Sequence, residues 1–492
     1  MCCRRIELMM KEKIPYILIF SAALLAGTAY WIPYRFGPVT IEQILFHLYM
    51  PLDSDAQTII GCARYAVVPA VAAIFFFFVL KTTLKNTEKG SFFFQHLFAP
   101  FSCVALFASF IFAFFQLNVP NWFHENFSQR STLYEKFYID PASAHIAFPD
   151  KKKNLVWIFV ESLEATFSNK DGENLIPELT EITKNGISFS DVEANASGGA
   201  EQVAGTGWTQ AGLVAQMCGI PLRLPISPNH YRTYKYFLPN AHCLYDVLKA
   251  NGYAGRFLIG TKARFAGMDI FFRTHGAPTV HDYLYFTGIK EHFWNLKEIR
   301  NDIKWGFDDV KTYELAKTEL TELAKAEEPF AFGMMTMDTH FATGHFEKSV
   351  CREKYPDVYK NVISCADKQL SSFLKWLEKQ DFYKNTVVVV TGDHLAMNET
   401  VFGKDARRRV FNLFLNAETS PVKRSKRKFS TMDVYPSVLT ALGARIEGDK
   451  LGLGTSLFSN APTVSEQIGD TEKFNEQLLK RSAVYDRLLY KR

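Results

Sequence analysis

Two apolar segments of the sequence are each followed by residues of the kind that bind metal ions. The stretch Asn385–His394 contains four consecutive valines and ends in Asp393 and His394. A second apolar stretch, Asn154–Val160, is followed by Glu161. Carboxylate oxygens and imidazole nitrogens bind divalent cations such as Zn²⁺, Mn²⁺ and Mg²⁺. Either segment alone is better explained by ordinary polar residues at the end of a strand, but together they predict one site for one or two metal ions.

The elements that carry these residues are predicted to be buried strands. A continuous apolar run bounded by polar residues is typical of a strand inside a parallel sheet, and ligands bind beside the carboxyl ends of such strands. Strands alternate with helical patterns along the chain, which predicts an α/β fold with a mainly parallel central sheet flanked by helices. The predicted strands are Leu155–Val160, Ala254–Ile259, Phe330–Met337 and Val387–Val390, and the predicted helices are Ala211–Met217, Thr312–Ala326, Asn361–Lys379 and Phe429–Leu442.

A glycine-rich loop that runs into a helix, Gly205–Pro221, offers two candidate nucleophiles, Thr206 and Thr209. A hydroxyl at the start of a helix lies near unpaired backbone N–H groups and the positive end of the helix dipole. That environment favours binding of a phosphate. Thr209 is also well suited to be a helix N-cap, and this use is compatible with a role in the site.

The N-terminal quarter of the chain is predicted to be a membrane domain. Three apolar stretches are long enough to span a bilayer, Ile14–Pro33, Ile59–Leu80 and Phe92–Leu117. Basic residues before the first span and in the Lys81–Lys89 loop place those segments in the cytoplasm. An odd number of spans then places the rest of the chain outside the cytoplasm. The predicted domains are a membrane domain at 1–118, a membrane-proximal linker at 119–153 and an extracytoplasmic catalytic domain at 154–492.

The cysteines of the soluble part are consistent with an oxidising compartment. There are four of them, and pairing by proximity in sequence gives Cys218–Cys243 and Cys351–Cys365. Two other connectivities, or four free thiols, are also compatible with the sequence. No pair of cysteines has the short spacing that is typical of a zinc site.

The charge of the chain argues against a nucleic-acid partner. Its formal net charge is +5 over 492 residues, which is small for this length. Nucleic-acid binding requires a clustered basic surface, and the sequence has only short basic runs, Lys151–Lys153 and Lys423–Lys428. We therefore expect no nucleic-acid partner.

Five motifs occur in the order and with the spacing found in a known family. Together they resemble the lipoteichoic acid synthase and phosphoglycerol transferase family, which lies within the alkaline phosphatase/sulfatase superfamily. The resemblance covers about residues 150–460, and the membrane-anchored layout is similar as well. The motifs are Val160-Glu-Ser-Leu-Glu164, Thr209-Gln-Ala-Gly-Leu213, Cys218-Gly-Ile-Pro221, Asp338-Thr-His-Phe341 and Thr391-Gly-Asp-His394.

The resemblance implies a role for each matching residue. It implies that Thr209 is the nucleophile and that Glu161, Thr209, Asp393 and His394 hold a divalent metal, with Zn²⁺, Mn²⁺ and Mg²⁺ all acceptable. It also implies that His340 is a substrate-site histidine. His345 is a further candidate for binding substrate or donating a proton, although an ordinary loop histidine explains it at least as well.

The segment Thr261–Asp269 lies where lipoteichoic acid synthases hold glycerol phosphate. Ala266 and Met268 occupy the positions where that pattern has Trp and Arg. Lys262 or Arg264 would then supply the positive charge, although surface charge explains both equally well. This departure slightly favours phosphoethanolamine over phosphoglycerol as the headgroup.

The expected function is that of a multi-pass enzyme of the bacterial inner membrane whose catalytic domain faces the periplasm. It would move phosphoethanolamine or phosphoglycerol from a phospholipid to a glycan such as lipopolysaccharide core or periplasmic glucan, through a phospho-threonine intermediate. The residues leave two alternative functions open. One is a sulfatase, for which Cys218-Gly-Ile-Pro-Leu-Arg223 is a displaced form of the Cys-x-Pro-x-Arg signature. The other is a non-catalytic, membrane-tethered protein with the same fold.

Overall fold

The computed structural model of the protein describes most of the chain as two separate units. It describes residues 2–36, 39, 41, 43–45, 56–127, 130–169, 172–193, 198–223, 236–289, 306–340, 344–397 and 407–489. The first unit ends at Phe127 and the second consists of the main part of the chain after it.

The described part of the first unit consists of helices joined by short turns. Three stretches are long and apolar enough to cross a membrane, Lys13–Phe36, Ile59–Leu84 and Glu88–Gln116, which confirms the three predicted apolar helices. Two of these stretches contain a single π-helical turn, at Ala63–Val67 and Phe93–Leu97. The helices are α1 (Cys2–Phe36), α2 (Ala56–Cys62), α3 (Val68–Leu84), α4 (Glu88–Phe92), α5 (Phe98–Gln116) and α6 (Val119–Phe127).

The second unit is built on a six-stranded sheet with the strand order β4-β3-β5-β2-β6-β7. All neighbouring strands are parallel except β6 and β7, so the predicted α/β class with a mainly parallel sheet is confirmed. The six strands are β2 (Asn154–Val160), β3 (Ala254–Ile259), β4 (Thr279–His281), β5 (Phe330–Met335), β6 (Thr386–Gly392) and β7 (Asn412–Leu415). Two small antiparallel pairs complete the strands, β1 (Ile146–Ala147) with β8 (Arg445–Ile446) and β9 (Lys450–Leu451) with β10 (Gly454–Thr455).

The apolar runs of β2 and β6 place these strands in the middle of the sheet. Every residue of both strands is buried. A central parallel strand is covered by helices on both faces, so both sets of its alternating side chains must be apolar. On one face, Val156 and Ile158 belong to the same core cluster as Leu320 and Phe373, which lie on two of the flanking helices.

The helices of the second unit lie along the sheet and around its ends. The longest, Val358–Leu377, begins at an Asp357 N-cap whose side chain accepts a hydrogen bond from Lys360 N. The helices of the second unit are α7 (Leu133–Phe137), α8 (Pro177–Thr183), α9 (Thr209–Cys218), α10 (Leu244–Ala250), α11 (Met268–Thr274), α12 (Tyr283–Thr287), α13 (Asp309–Leu323), α14 (Val358–Leu377), α15 (Val434–Ala441), α16 (Val464–Ile468), α17 (Thr471–Leu479) and α18 (Ala483–Leu489).

Two segments differ in detail from their sequence-based description. Residues 119–153, expected as a linker, contain α6, α7 and β1, and β1 pairs with β8 within the second unit. The helix predicted at Phe429–Leu442 is shorter, because a 3₁₀ turn at Thr431–Asp433 precedes α15. In that turn Asp433 accepts a hydrogen bond from Ser430 N, so the chain enters α15 through a capped turn.

Candidate active site

The carboxyl ends of four neighbouring strands lie side by side at one edge of the sheet. Ile259 of β3 and Phe159 of β2 are both paired with Met335 of β5. Val160 of β2 is paired with Gly392 of β6. The loops that follow these strands carry most of the predicted site residues: Glu161, Lys262, Arg264, His340, His345, Asp393 and His394.

Glu161, Asp393 and His394 form a buried cluster that can hold a cation. One ligand atom from each of the three lies within 4.8 Å of the other two. His394 Nε2 lies 3.3 Å from Glu161 Oε1 and 3.3 Å from Asp393 Oδ2. At most 1% of each of these side chains is exposed. The register of β2 and β6 therefore brings together residues that are more than 230 positions apart in the chain.

Backbone groups orient the ligand atoms of this cluster. Asp393 Oδ1 accepts hydrogen bonds of 2.8 Å from the backbone N–H groups of Ser162 and His394. Its other oxygen, Oδ2, is buried and has no hydrogen-bond partner among the described residues. His394 Nδ1 lies 2.7 Å from the Leu395 carbonyl oxygen, so Nδ1 carries a proton and Nε2 faces the carboxylates. An unpaired carboxylate oxygen beside an imidazole nitrogen fits a divalent cation.

The electrostatics of the cluster favour a cation as well. Burial and the neighbouring Glu161 carboxylate raise the pKa of Asp393 to about 8. Burial opposes the charge on His394, but the two carboxylates outweigh it and raise the pKa of that imidazole to about 10. Burial likewise opposes the charge on Glu161, but His394 lowers the pKa of that carboxyl to about 2. A divalent cation in this cluster would stabilise both carboxylates and replace the proton on His394 Nε2.

Thr209 presents its hydroxyl to this cluster from the first residue of α9. Its Oγ1 donates to Glu161 Oε2 at 3.4 Å. The N-cap of α9 is the extended residue Trp208, so the expectation that Thr209 caps the helix is wrong. The other candidate, Thr206, donates its hydroxyl to the Val203 carbonyl at 2.8 Å and is fully buried. Thr209, the residue that the family motifs indicate, thus contacts the cluster, whereas the hydroxyl of Thr206 is bound elsewhere.

A glycine allows α9 to approach β6 closely enough for this geometry. A Cβ atom at Gly212 would lie 2.3 Å from the Asp393 carbonyl oxygen, which is closer than any side chain allows. One turn further along, Gln216 Nε2 donates to the carbonyl oxygens of Gly392 and Asp393 at 2.8 and 3.2 Å. The helix that carries Thr209 is therefore fastened directly to the strand end that carries the metal-type residues.

The loop after β5 is tied to the same cluster. Thr339 donates its hydroxyl to the Glu161 carbonyl oxygen, and Tyr359 donates to the Thr339 carbonyl oxygen at 2.9 Å. His340, half-buried in this loop, contributes to lowering the pKa of Glu161. His340 N donates to the Met337 carbonyl oxygen at 3.0 Å. Phe341, the last residue of its motif, lies outside the described residues.

A buried pair of carboxyl groups, missed by the sequence analysis, shapes the base of this loop. Asp309, the first residue of α13, accepts hydrogen bonds from Met337 N at 2.7 Å and from Asp338 N at 3.1 Å. Asp338 in turn accepts a hydrogen bond from Asp309 N at 3.2 Å. Burial and the nearby Asp338 raise the pKa of Asp309 well above its usual range, and burial raises the pKa of Asp338 to about 7. No sequence motif distinguished Asp309 from the other acidic residues of its helix.

The remaining predicted substrate residues lie nearer the surface. Arg264 is exposed and Lys262 is half-buried, and both lie in the loop that follows β3. In that loop Ala263 N donates to Asp282 Oδ2 at 2.9 Å. His345 is 46% exposed, and its Nε2 lies 3.4 Å from Glu347 Oε2. Its ring is therefore paired with a surface carboxylate, in keeping with an ordinary loop histidine.

Both disulfides predicted by proximity in sequence are confirmed. Cys218 is bonded to Cys243, and Cys351 is bonded to Cys365. Cys218 is the last residue of α9, at the opposite end of that helix from Thr209. Its sulfur is thus part of a disulfide and is remote from the metal-type cluster.

This arrangement agrees with comparisons to known proteins. The sulfatase family model matches residues 153–444, which is more than half of the chain. The chain belongs to the sulfatase family. This finding confirms the resemblance to the alkaline phosphatase/sulfatase superfamily that the motifs indicated.

The chain is similar in sequence to phosphoglycerol transferases and in fold to solved structures. Phosphoglycerol transferase I from Escherichia coli (strain 55989 / EAEC) is 35% identical over 337 residues, which cover 66% of this chain and 41% of that protein. The aligned part thus spans about two fifths of that relative. The solved structure of the lipoteichoic acid synthase LtaP from Listeria monocytogenes has a TM-score of 0.50 and 16% identity, and the match covers 67% of this chain and 81% of that one. The latter similarity concerns the fold alone.

We predict that Asp393→Asn abolishes stabilisation by a divalent metal. In the wild-type chain, chelation with EDTA should lower the melting temperature, because bound metal at a hundredfold excess over its dissociation constant contributes about 2.7 kcal/mol. The variant keeps the shape of the side chain but loses the charge, so its melting temperature should not respond to EDTA. Asp367→Asn is the control, since Asp367 is a buried carboxylate that accepts hydrogen bonds from Glu178 N and Leu179 N instead.

We predict that Gly212→Ala destabilises the protein although alanine favours helices. In the interior of an exposed helix, replacing glycine by alanine stabilises the folded protein by about 1 kcal/mol. Here the added methyl group would overlap the Asp393 carbonyl oxygen, so the free energy of unfolding should fall by about 1–3 kcal/mol. Thermal unfolding of the full chain in detergent measures the change, and a higher melting temperature would contradict the close contact.

We predict that Asp309→Asn reduces the dependence of stability on pH. A carboxyl group whose pKa is higher in the folded state binds more protons when folded, so stability falls as pH rises from about 4 towards neutrality. The variant removes one member of the pair, and its loss of stability between pH 5 and pH 8 should be smaller than in the wild type. Asp357→Asn is the matched control, because Asp357 caps α14 and asparagine is also a good cap. Equal pH dependence in the wild type and Asp309→Asn would contradict the prediction.

Proposed function

We propose that this protein is a membrane-bound transferase that moves a phospho-alcohol headgroup from a phospholipid to an exported glycan. The observation that carries the proposal is the position of the Thr209 hydroxyl, at the start of α9 and 3.4 Å from a carboxylate of the metal-type cluster. A hydroxyl in such a place is suited to attack a phosphorus atom while nearby backbone N–H groups stabilise the phosphoryl oxygens. The similarity to phosphoglycerol transferase I supports the same class of reaction.

The metal would be held by Glu161, Thr209, Asp393 and His394. When bound, a divalent ion lowers the pKa of the threonine hydroxyl and polarises a phosphoryl oxygen. The chain's own contribution is orientation: Ser162 donates to Glu161 Oε1 at 2.7 Å, and the backbone fixes Asp393. With Oε1 of Glu161 held by Ser162, its other oxygen, Oε2, accepts from Thr209.

The proposed reaction has two displacement steps. In the first, Thr209 Oγ attacks the phosphorus of the lipid, the bond from phosphorus to the diacylglycerol oxygen breaks, and that oxygen takes up a proton. In the second, a sugar hydroxyl of the acceptor attacks the phospho-threonine, and Thr209 leaves and regains its proton. His340, tied to the cluster through Thr339, is the candidate proton donor to the diacylglycerol oxygen.

Two headgroups are consistent with the residues. The 35% identity to phosphoglycerol transferase I favours phosphoglycerol. Ala266 and Met268 depart from the glycerol-phosphate pattern and favour phosphoethanolamine. Lys262 and Arg264, in the loop after β3, are the proposed source of positive charge for either headgroup. The proposal therefore specifies the bond that is cleaved and leaves the headgroup to the experiment below.

The proposed location is the bacterial inner membrane, with the catalytic domain in the periplasm. Three apolar helices would provide the anchor, and the lysines of the Lys81–Lys89 loop support a cytoplasmic location for that loop. The two disulfides support an oxidising compartment for the second unit. Lipopolysaccharide core or periplasmic glucan are the proposed acceptors in that compartment.

Neither alternative has support from the site. A sulfatase of the formylglycine type would need a free Cys218 near the metal, whereas this residue is bonded to Cys243 at the far end of α9. A non-catalytic protein would have no need for a buried cluster with an unpaired carboxylate oxygen, which is costly to maintain without a ligand.

We predict that the full chain forms a covalent adduct on Thr209 when incubated with metal and phospholipid but no acceptor. Phosphatidylethanolamine and phosphatidylglycerol are tested separately, and the mass of the adduct identifies the headgroup. Thr209→Ala should form no adduct and should lose transfer by at least about a thousandfold. Thr206→Ala is the matched control and should still form it.

Intact mass and peptide mapping measure this adduct. An adduct that persists in Thr209→Ala would overturn the assignment of the nucleophile. If the wild-type chain formed no adduct with either lipid and instead hydrolysed a sulfate ester, the sulfatase function would replace the transferase proposal.

A further inference from the structure

Gln210, next to the candidate nucleophile, is a buried amide without a partner. None of its side chain is exposed, and neither Nε2 nor Oε1 has a hydrogen-bond partner among the described residues. Buried polar groups are almost always paired, because an amide that leaves water without a new partner loses its hydrogen bonds outright. A side chain whose donor and acceptor are both unpaired therefore indicates a ligand that supplies both.

Gln210 lies at the end of α9 that carries the candidate site. Gln210 is the second residue of α9, immediately after Thr209. Side chains in an α-helix tilt towards the N-terminus, so a long side chain in the first turn extends towards the end of the helix where Thr209 meets Glu161. At the same end the first backbone N–H groups of the helix have no partner within it, which makes the region suited to an anion.

Gln216 shows what a structural glutamine looks like on the same helix. It is also fully buried, but its Nε2 donates to the carbonyl oxygens of Gly392 and Asp393. Only its Oε1 lacks a partner. Gln216 thus fastens α9 to β6, whereas Gln210 makes no hydrogen bond through its side chain to any described part of the chain.

We propose that Gln210 binds the headgroup of the phospholipid substrate and helps to select it. Its Nε2 donates to a phosphoryl oxygen, and its Oε1 accepts from the hydroxyl or ammonium group of the headgroup. Phosphoglycerol and phosphoethanolamine share this combination of a phosphoryl acceptor and a nearby donor, whereas phosphocholine lacks the donor. This inference rests on the proposed function and adds a specificity-determining residue to it.

The test compares Gln210→Met with Gln216→Met in the full chain in detergent, with metal present. Methionine keeps the size of the side chain and removes the amide. In the resting protein Gln210→Met should melt at the same temperature as the wild type or higher, because it removes an unpaired buried amide. Gln216→Met should melt at a lower temperature, because it removes two hydrogen bonds to β6. Replacing a glutamine that is purely structural would lower stability and function together. A Gln210→Met variant that loses function but keeps its melting temperature would therefore indicate a role in binding.

Function is measured by adduct formation with each lipid and by binding of three soluble esters. Gln210→Met should form the adduct at least about tenfold more slowly with the lipid that the wild type uses. Its affinity for sn-glycerol 3-phosphate or phosphoethanolamine should fall by about tenfold, and its affinity for phosphocholine should fall less. Whichever of the first two esters shows the larger loss identifies the headgroup.

Several outcomes would overturn the role of Gln210. These are a lower melting temperature for Gln210→Met than for the wild type, or an adduct rate within twofold of the wild type. Failure of the proposed function is a different result, in which the wild type forms no adduct with either lipid. In that case the binding of the soluble esters tests the role of Gln210. If the wild type and Gln210→Met bound the esters with equal affinity, or if the wild type did not bind them, the inference about Gln210 would be overturned.

Discussion

The candidate site depends on the hydrogen bonds that hold Asp393 between the ends of β2 and β6. One oxygen of this buried carboxylate accepts from the backbone N–H groups of Ser162 and His394, and this contact joins the two central strands just beyond their last pairing. Because one oxygen is fully engaged, the other is left facing Glu161 and the His394 imidazole. The register of β2 and β6 brings the ligand residues together, and the hydrogen bonds of Asp393 then orient its two oxygens within the cluster.

Two further elements depend on the same strand ends. Helix α9 lies against the Asp393 carbonyl group because Gly212 has no side chain, and Gln216 holds it there. The disulfide of Cys218 ties the other end of this helix to α10. The loop after β5 is attached to the Glu161 carbonyl group through Thr339. The candidate nucleophile and the candidate proton donor are therefore both positioned relative to one rigid edge of the sheet, which is how precise sites are commonly built.

The polar groups of this region fall into two classes with different physical consequences. Many, such as the carboxylate of Asp309, have backbone partners and therefore define the shape of the loops. Asp393 Oδ2 and the amide of Gln210 are buried without partners in the described part of the chain. Unpaired buried groups reduce stability, and proteins retain them chiefly where a ligand completes the hydrogen bonds. Both groups lie on the elements that carry the proposed site, at the start of α9 and just after β6.

The sequence by itself determined the α/β class, the three apolar helices and the central strands β2 and β6. It suggested the two disulfides among other connectivities, and the structure decided between them. These features follow from local apolar runs and short separations along the chain, which a single sequence displays directly. Only the tertiary structure showed that Thr209, which the family motifs indicate, donates to Glu161 while Thr206 donates to Val203. It also paired Asp309 with the loop of Asp338 and distinguished the unpaired Gln210 from the bonded Gln216. Residue type and periodicity indicate that such side chains are buried, but their partners are set by how distant segments cross, and that depends on packing of the whole domain.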